Sequence, residues 1–356
     1  MTKTKPIRIA HVLWSLENGG LENLLIDLIN KQVQEAEVAL IVINDRVYPP
    51  LLERLSPLCH IYFGKRIPGS KNPYFLFPLF WFINVRFRPQ VVHFHMENGI
   101  ERTIHSIQRT QMLHTIHTIH EKGLSPQKFK HADCMVAISP AVERYLKQEK
   151  FKNVVRIDNG IEISSIRPRV YHIPTTMRIV QVSRLEHETK GQDLLLQALS
   201  LLKKKGVSNF SLDFIGDGSS LEQLKSMAVS LNLEKEVRFL GNQPRHYVYE
   251  HLADYDLFVQ PSRWEGFGLT VAEAITARLP VLVSANQGPM DIIEQGKYGA
   301  YFPLNDAKSC ASSIEQLMKE YPVEDFLEEA AFHISKSYGM ERVAQEYLQL
   351  YMRLLR

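Results

Sequence analysis

Short runs of consecutive apolar residues alternate along this chain with longer stretches whose apolar positions recur every three or four residues. In the first half IRIAHVLW, EVALIVIN, PQVVHFHM, HTIHTIH and DCMVAISP predict strands, and GLENLLIDLINKQV predicts a helix. The rhythm begins again at MRIVQVSRL, followed by QDLLLQALSLLKKKG, FSLDFIGDG, LEQLKSMAVSLNL, VRFLG, DLFVQPS, TVAEAITARL and PVLVSA. Strands alternating with helices imply parallel sheets covered on both faces. Two doubly wound α/β units in tandem are the economical reading. Two prolines and several polar residues interrupt the pattern in ISSIRPRVYHIPTT, so the boundary is placed there, giving domains 1–168 and 169–339.

Ligands of open parallel sheets bind beyond the carboxyl ends of the strands, so the loops after Leu13, Val182 and Val259 are where chemistry is expected, in a cleft between the two domains. Composition narrows the partners. At 356 residues and 45% hydrophobic the chain can bury a full core, and a formal net charge of +3 is too mild for a dedicated nucleic-acid binder. The three cysteines, Cys59, Cys134 and Cys310, are odd in number and far apart. They fit a reducing, cytoplasmic compartment better than a disulfide framework. The apolar run near the N-terminus is broken by His11 and lacks a small-residue cleavage site, so no signal peptide is expected. YFLFPLFWFINV, residues 74–85, is aromatic-rich and flanked by Lys65, Arg66, Lys71, Arg86 and Arg88. It is too short to span a bilayer and reads either as a buried helix or as an interfacial surface that meets lipid or a lipid-borne acceptor.

Three patches can carry chemistry. In RWEGFGLTVAEA, Glu265 precedes Gly266-Phe267-Gly268-Leu269 at a helix start, where backbone amides favour an anion while the carboxylate accepts from sugar hydroxyls. Thr270 and Glu273 match a capping box, which gives Glu273 a structural alternative to ligand binding. In VSRLEHETKGQ, Arg184 and Lys190 can face the space above a strand end and hold a diphosphate without a metal; the alternative is surface pairing with Glu186 and Glu188. Gly19 and Gly20 follow the first strand but lack dinucleotide or P-loop spacing. His93 and His95 share a strand face, yet His114, His117 and His120 are spaced so that neighbours point to opposite faces, and no metal site is expected. His117 is a candidate for touching a substrate hydroxyl or, alternatively, a core histidine. Asp254 and Asp256 form an Asp-x-Asp pattern that leads into a strand and is discounted.

Together GGLE at 19–22, SRL followed by KG at 183–191, GDG at 216–218, VRFLG at 237–241 and E-G-F-G-L-x-x-x-E at 265–273 resemble the retaining glycosyltransferases of the GT-B fold, the large family that includes sucrose and glycogen synthases and bacterial polysaccharide enzymes. The resemblance spans nearly the whole chain. It implies a donor nucleotide-sugar held mainly by the C-terminal domain, with UDP the default, and a saccharide acceptor held mainly by the N-terminal one; the aromatic, basic-flanked stretch at 65–88 suggests that the acceptor is a polyprenyl-linked saccharide. By the same resemblance Glu273 would hold the ribose, Arg184 and Lys190 the diphosphate, and Glu265 with the amides of Phe267 to Leu269 the sugar. His117 would lie near the sugar, and Gly19 and Gly20 near the diphosphate and acceptor. Ser183 stands where many relatives carry glycine, and NGIE at 159–162 where they carry Asn-Gly-Ile-Asp. The helix predicted over 340–355 would cross back onto the first domain. No cofactor or metal is implied; peripheral contact with the inner membrane face is an expectation that rests on the aromatic, basic-flanked stretch at 65–88. Rival readings are a sugar-nucleotide epimerase or hydrolase on this fold and a non-catalytic sugar-nucleotide-binding subunit; the missing G-x-G-x-x-G disfavours a dehydrogenase.

Overall fold

The computed structural model of the chain describes residues 6–67, 76–96, 110–119, 123–285 and 287–356. It divides into two compact units, one formed by 1–160 with 340–356 and the other by 161–339. The division thus falls at Gly160/Ile161, earlier than the expected 168/169, because the peptide N–H of Ile161 already bonds to Tyr338 O inside the second unit.

The first unit holds strands β1 (Arg8–Leu13), β2 (Glu37–Asn44), β3 (His60–Arg66), β4 (Val91–Phe94), β5 (Gln111–Ile116), β6 (Cys134–Ala137) and β7 (Val154–Arg156). They form one parallel sheet in the order β3-β2-β1-β4-β5-β6-β7. Its helices are α1 (Gly20–Gln32), α2 (Pro49–Arg54), α3 (Leu76–Arg86), α4 (Pro140–Gln148) and, from the far end of the chain, the helix Met340–Leu354. In β2 every residue after Glu37 is buried, as a parallel strand covered on both faces requires.

The second unit holds β8 (Met177–Val182), β9 (Phe210–Ile215), β10 (Val237–Phe239), β11 (Leu257–Gln260), β12 (Val281–Ser284) and β13 (Ala300–Phe302), a parallel sheet in the order β10-β9-β8-β11-β12-β13. Its helices are α5 (His187–Lys190), α6 (Gln192–Lys204), α7 (Leu221–Ser230), α8 (Arg245–His251), α9 (Leu269–Thr276), α10 (Gln287–Ile292), α11 (Ala307–Lys319) and α12 (Glu324–Tyr338); Met340–Leu354 is α13. In α6 the buried Leu194, Leu195, Ala198, Leu199 and Leu202 form one stripe, with Asp193 in the first turn and Lys203 and Lys204 in the last, complementing the helix dipole. Both sheets have the doubly wound order, which opens a crevice beyond β1 and β4 in one unit and beyond β8 and β11 in the other.

Two expectations need correction. The segment read as strand HTIHTIH begins earlier, at Gln111, and ends at Ile116, so His117 lies just past the strand and His120 outside the described residues. The aromatic helix α3 is only half buried: Leu76, Phe80 and Ile83 pack on the sheet core, whereas Phe77, Trp81, Phe82 and Val85 stand exposed.

Candidate functional site

In the second unit the loops after β8 and β11 meet at the switch point. Arg263 N donates to Thr189 O at 2.8 Å. The Arg263 guanidinium grips both carboxylate oxygens of Asp193, at 2.8 and 2.9 Å, and donates to His187 O. Gly191 makes the approach feasible. Its φ is +69°, and a Cβ there would lie 2.0 Å from Pro261 O. The clamped loops bring Lys190 Nζ to 2.7 Å from Glu265 Oε2, with 23% and 19% of the side chains exposed. Two groups 75 residues apart in sequence therefore form one charge-assisted, half-sheltered pair at the mouth of the sheet.

Beyond Glu265 the chain turns through Gly268, at φ +102°, directly into α9. Gly268 is the cap and carries no side chain, so the opening amides of α9 are left to other acceptors. This overturns the capping box: the helix starts at Leu269, two residues too early for Thr270 to cap it. Glu273 instead lies buried in the body of the helix, where Oε1 accepts from Tyr249 OH at 2.8 Å and Arg245 Nη2 stands 3.6 Å away. Phe267 is 3% exposed and packs edge-on against Tyr338, so its side chain is core and only its backbone can serve a ligand. Gly266 precedes it in the same turn.

Arg184 follows β8 with its side chain 68% exposed, and its Nη1 donates to Glu186 Oε1 at 3.2 Å. This is the surface pair foreseen as the alternative, and one worth little in water. Ser183 tolerates its position because its hydroxyl accepts from Gln192 Nε2 at 3.0 Å, while the same amide donates to Arg184 O.

Gly19, Gly20 and His117 belong to the first unit, at the carboxyl ends of β1 and β5. Gly19 is the extended N-cap of α1. His117 Nε2 lies 3.4 Å from His95 Nδ1, and burial holds its pKa down at about 4. His95 Nε2 in turn lies 2.9 Å from His11 Nδ1, whose other nitrogen meets Gln32 Oε1 at 2.7 Å. His93 bridges Thr115 Oγ1 at 2.6 Å and Tyr351 OH at 2.7 Å. The nitrogens of His11, His93 and His95 come within 4.8 Å of one another, the geometry a metal needs. Yet among the described residues no carboxylate or thiolate joins the three, and their ring nitrogens are already engaged. A divalent ion there would bring its whole charge into the interior without an anionic ligand. The cluster is a hydrogen-bonded core that fastens α13 to the sheet.

Asp254 and Asp256 are absorbed by ion pairs: Arg169 Nη2 meets Asp256 Oδ1 at 2.8 Å, both 1% exposed, and Asp254 pairs with Arg167 and His251. Sequence reasoning missed Arg263, Asp193, Arg245 and Tyr249. Each acts through a partner dozens of residues away, except where Arg245 and Tyr249 stack on one helix turn at 4.6 Å.

The chain matches known proteins throughout. It is 29% identical over 197 residues to the putative colanic acid biosynthesis glycosyltransferase WcaL of Escherichia coli, covering 53% of this chain and 48% of that protein. The chain spans about half the length of the curated relatives it matches in this way. A glycosyltransferase from Rickettsia africae superposes with a TM-score of 0.85 at 18% identity, over 99% of this chain and 100% of the other. HepE of Anabaena, solved with UDP and glucose, superposes with a TM-score of 0.80 at 19% identity, over 97% and 99%. Residues 18–165 match the profile of glycosyltransferase family 4 and residues 165–333 that of glycosyl transferases group 1, so that with two parallel doubly wound sheets the chain belongs to the group 1 glycosyltransferases of the GT-B fold.

Proposed function

We propose that the chain transfers a sugar, with retained anomeric configuration, from a nucleotide-sugar to a saccharide or polyprenyl-linked saccharide in the biosynthesis of a surface polysaccharide or related glycoconjugate. The observation that carries this reading is the Lys190–Glu265 pair at the switch point of the second sheet, beside the glycine-capped start of α9. A UDP-sugar is the favoured donor, supported by the UDP held by a whole-chain structural neighbour.

On this reading Lys190 and Arg184 face the diphosphate, and the α9 amides add donors where negative charge grows as the glycosidic bond breaks. Glu265 accepts from sugar hydroxyls, and Glu273 from the ribose in exchange for its bond to Tyr249. His117, uncharged near neutral pH, can accept or donate one hydrogen bond to a sugar hydroxyl without bringing charge to the site. No carboxylate is assigned as a nucleophile. The acceptor oxygen attacks the anomeric carbon on the face the leaving group vacates; the bond to phosphate breaks as the new C–O bond forms, and the acceptor proton passes to a departing phosphate oxygen. The cations come from the chain itself, so turnover needs no metal and survives chelation.

The test is nucleotide release, followed chromatographically with and without candidate acceptors. Release that depends on acceptor, together with a product of the donor's anomeric configuration, supports the proposal. Release at full rate without acceptor supports a hydrolase or epimerase instead, and a glycosyl adduct on Glu265 seen by mass spectrometry contradicts front-face attack.

A further inference from the structure

Between Arg54 and Met96 the sequence contains six cations, Arg54, Lys65, Arg66, Lys71, Arg86 and Arg88, and no aspartate or glutamate. The rest of the chain consequently has more carboxylates than Lys and Arg, so the basic character of the protein is concentrated in this one segment. Among the described residues Arg54 pairs with Asp27 at 2.7 Å, and Arg66 lies over the Trp14 ring. Lys65, Arg86 and Arg88 are exposed.

The same segment carries α3. Its inner face fills the core through Leu76, Phe80 and Ile83. Its outer face presents Phe77 at 49%, Trp81 at 55%, Phe82 at 49% and Val85 at 47% exposure, where a solvated helix would carry polar residues. Residues 77, 81 and 85 are successive turns of one stripe, and Phe82 adjoins it. Arg86 closes the stripe, near enough to Tyr62 to act on its hydroxyl electrostatically, and Tyr62 packs edge-on against Phe82. Eleven residues cannot cross a bilayer, and among the described residues no helix is long and apolar enough to do so. Aromatic rings bordered by arginines suit the boundary between headgroups and acyl chains.

We propose that the outer face of α3, formed by Phe77, Trp81, Phe82 and Val85 with Arg86 and Arg88 at its edge, docks on the surface of an anionic lipid bilayer. Charge decides the occupant. A second copy of the chain seated on this face by twofold symmetry would set one acid-free segment against another, like charge facing like. Anionic headgroups supply the missing counter-charge, and rings and cations then act together. The surface belongs to the first unit and the donor-site residues Lys190, Arg184, Glu265 and Glu273 to the second, so its test needs neither donor nor acceptor and succeeds or fails independently of the transferase reading.

The full chain is sedimented with vesicles of phosphatidylcholine alone and of phosphatidylcholine with about 30 mol % phosphatidylglycerol, at low and high salt. The expected result is at least about tenfold stronger partition onto the anionic vesicles, weakened by salt. Phe77→Ser/Trp81→Ser/Phe82→Ser and, separately, Arg86→Glu/Arg88→Glu each remove it. Brominated acyl chains quench fluorescence in the wild type more than in Trp81→Phe, which places the ring in the lipid and keeps the claim testable should the triple variant not fold. Equal partition on both vesicle types, partition unchanged in the Arg86→Glu/Arg88→Glu variant, or quenching unchanged in Trp81→Phe overturns the proposal. So does a concentration-dependent dimer that the triple variant abolishes, since that assigns the face to a second copy.

Discussion

Lys190 and Glu265 were legible as charged residues on loops beyond strand ends, because strand endings and glycines are local signals. That they meet was not legible, since the pairing depends on Arg263 reaching Asp193 and on Gly191 passing Pro261. Gly191→Ala adds a methyl where both the positive φ and the 2.0 Å approach forbid one. It should cost at least about 1–3 kcal/mol in chemical denaturation and weaken donor binding as the loop retreats. The capping alternative for Glu273 failed for a related reason. The Thr270–Glu273 spacing fits a capping box, but Gly268 enters the helix in a left-handed turn that no spacing rule displays. Glu273→Gln keeps an acceptor for Tyr249 and removes the charge. Loss of a charged hydrogen bond of about 1.5–3 kcal/mol should raise the donor Kd by about 10- to 100-fold in calorimetry, with little change in Tm. A variant that binds donor as tightly as the wild type would remove Glu273 from the site.

Among the elements, the long buried strands and the amphipathic helices announced themselves by period, whereas β3, β7 and β13 did not. β7 and β13 have three residues each, and β3 is an edge strand whose exposed positions break any alternation. The histidines on β1, β4 and just past β5 read from sequence as separate residues, and only parallel register stacks them, with His11 opposite His93. Burial lowers the pKa of His11 to about 4 and holds His93 and His95 well below the usual range. Unfolded, each titrates near 6.5, so between pH 6.5 and 4 the unfolded chain binds more protons than the folded one, and stability falls as pH falls. His11 alone contributes about 3 kcal/mol of that loss. Urea midpoints should be flat above pH 7 and drop steeply toward pH 4, and the His11→Gln variant should show a shallower fall. The helix α13 closes this cluster through Tyr351 and Tyr347, which bond to His93 and Thr115. Tyr351→Phe leaves the His93 ring nitrogen buried without that partner and should destabilise the protein by about 1–3 kcal/mol in denaturant titration.

For the molecule as a whole, the restart of the strand–helix rhythm at Met177 was enough to foresee two doubly wound sheets, and the order of the E-G-F-G-L-x-x-x-E, KG and GDG segments was enough to foresee the family. The domain boundary was placed late because prolines mark where regular structure stops, whereas the division follows where backbone bonds are made, and Ile161 already bonds within the second unit. Donor and acceptor identities leave no such trace, since they depend on pocket shape rather than on spacing. The central claim is that the second unit binds a nucleotide-sugar through Lys190, Arg184, Glu265 and Glu273. A thermal-shift panel of UDP-, GDP-, ADP- and dTDP-sugars on the wild type, Arg184→Ala and Lys190→Ala tests it most directly. One nucleotide class at about 100 times its Kd should add about 2.7 kcal/mol of stability to the wild type. Both variants should lose most of that gain relative to their own baselines. Stabilisation that survives in Lys190→Ala and Arg184→Ala, or no stabilisation by any of the four classes, would contradict it.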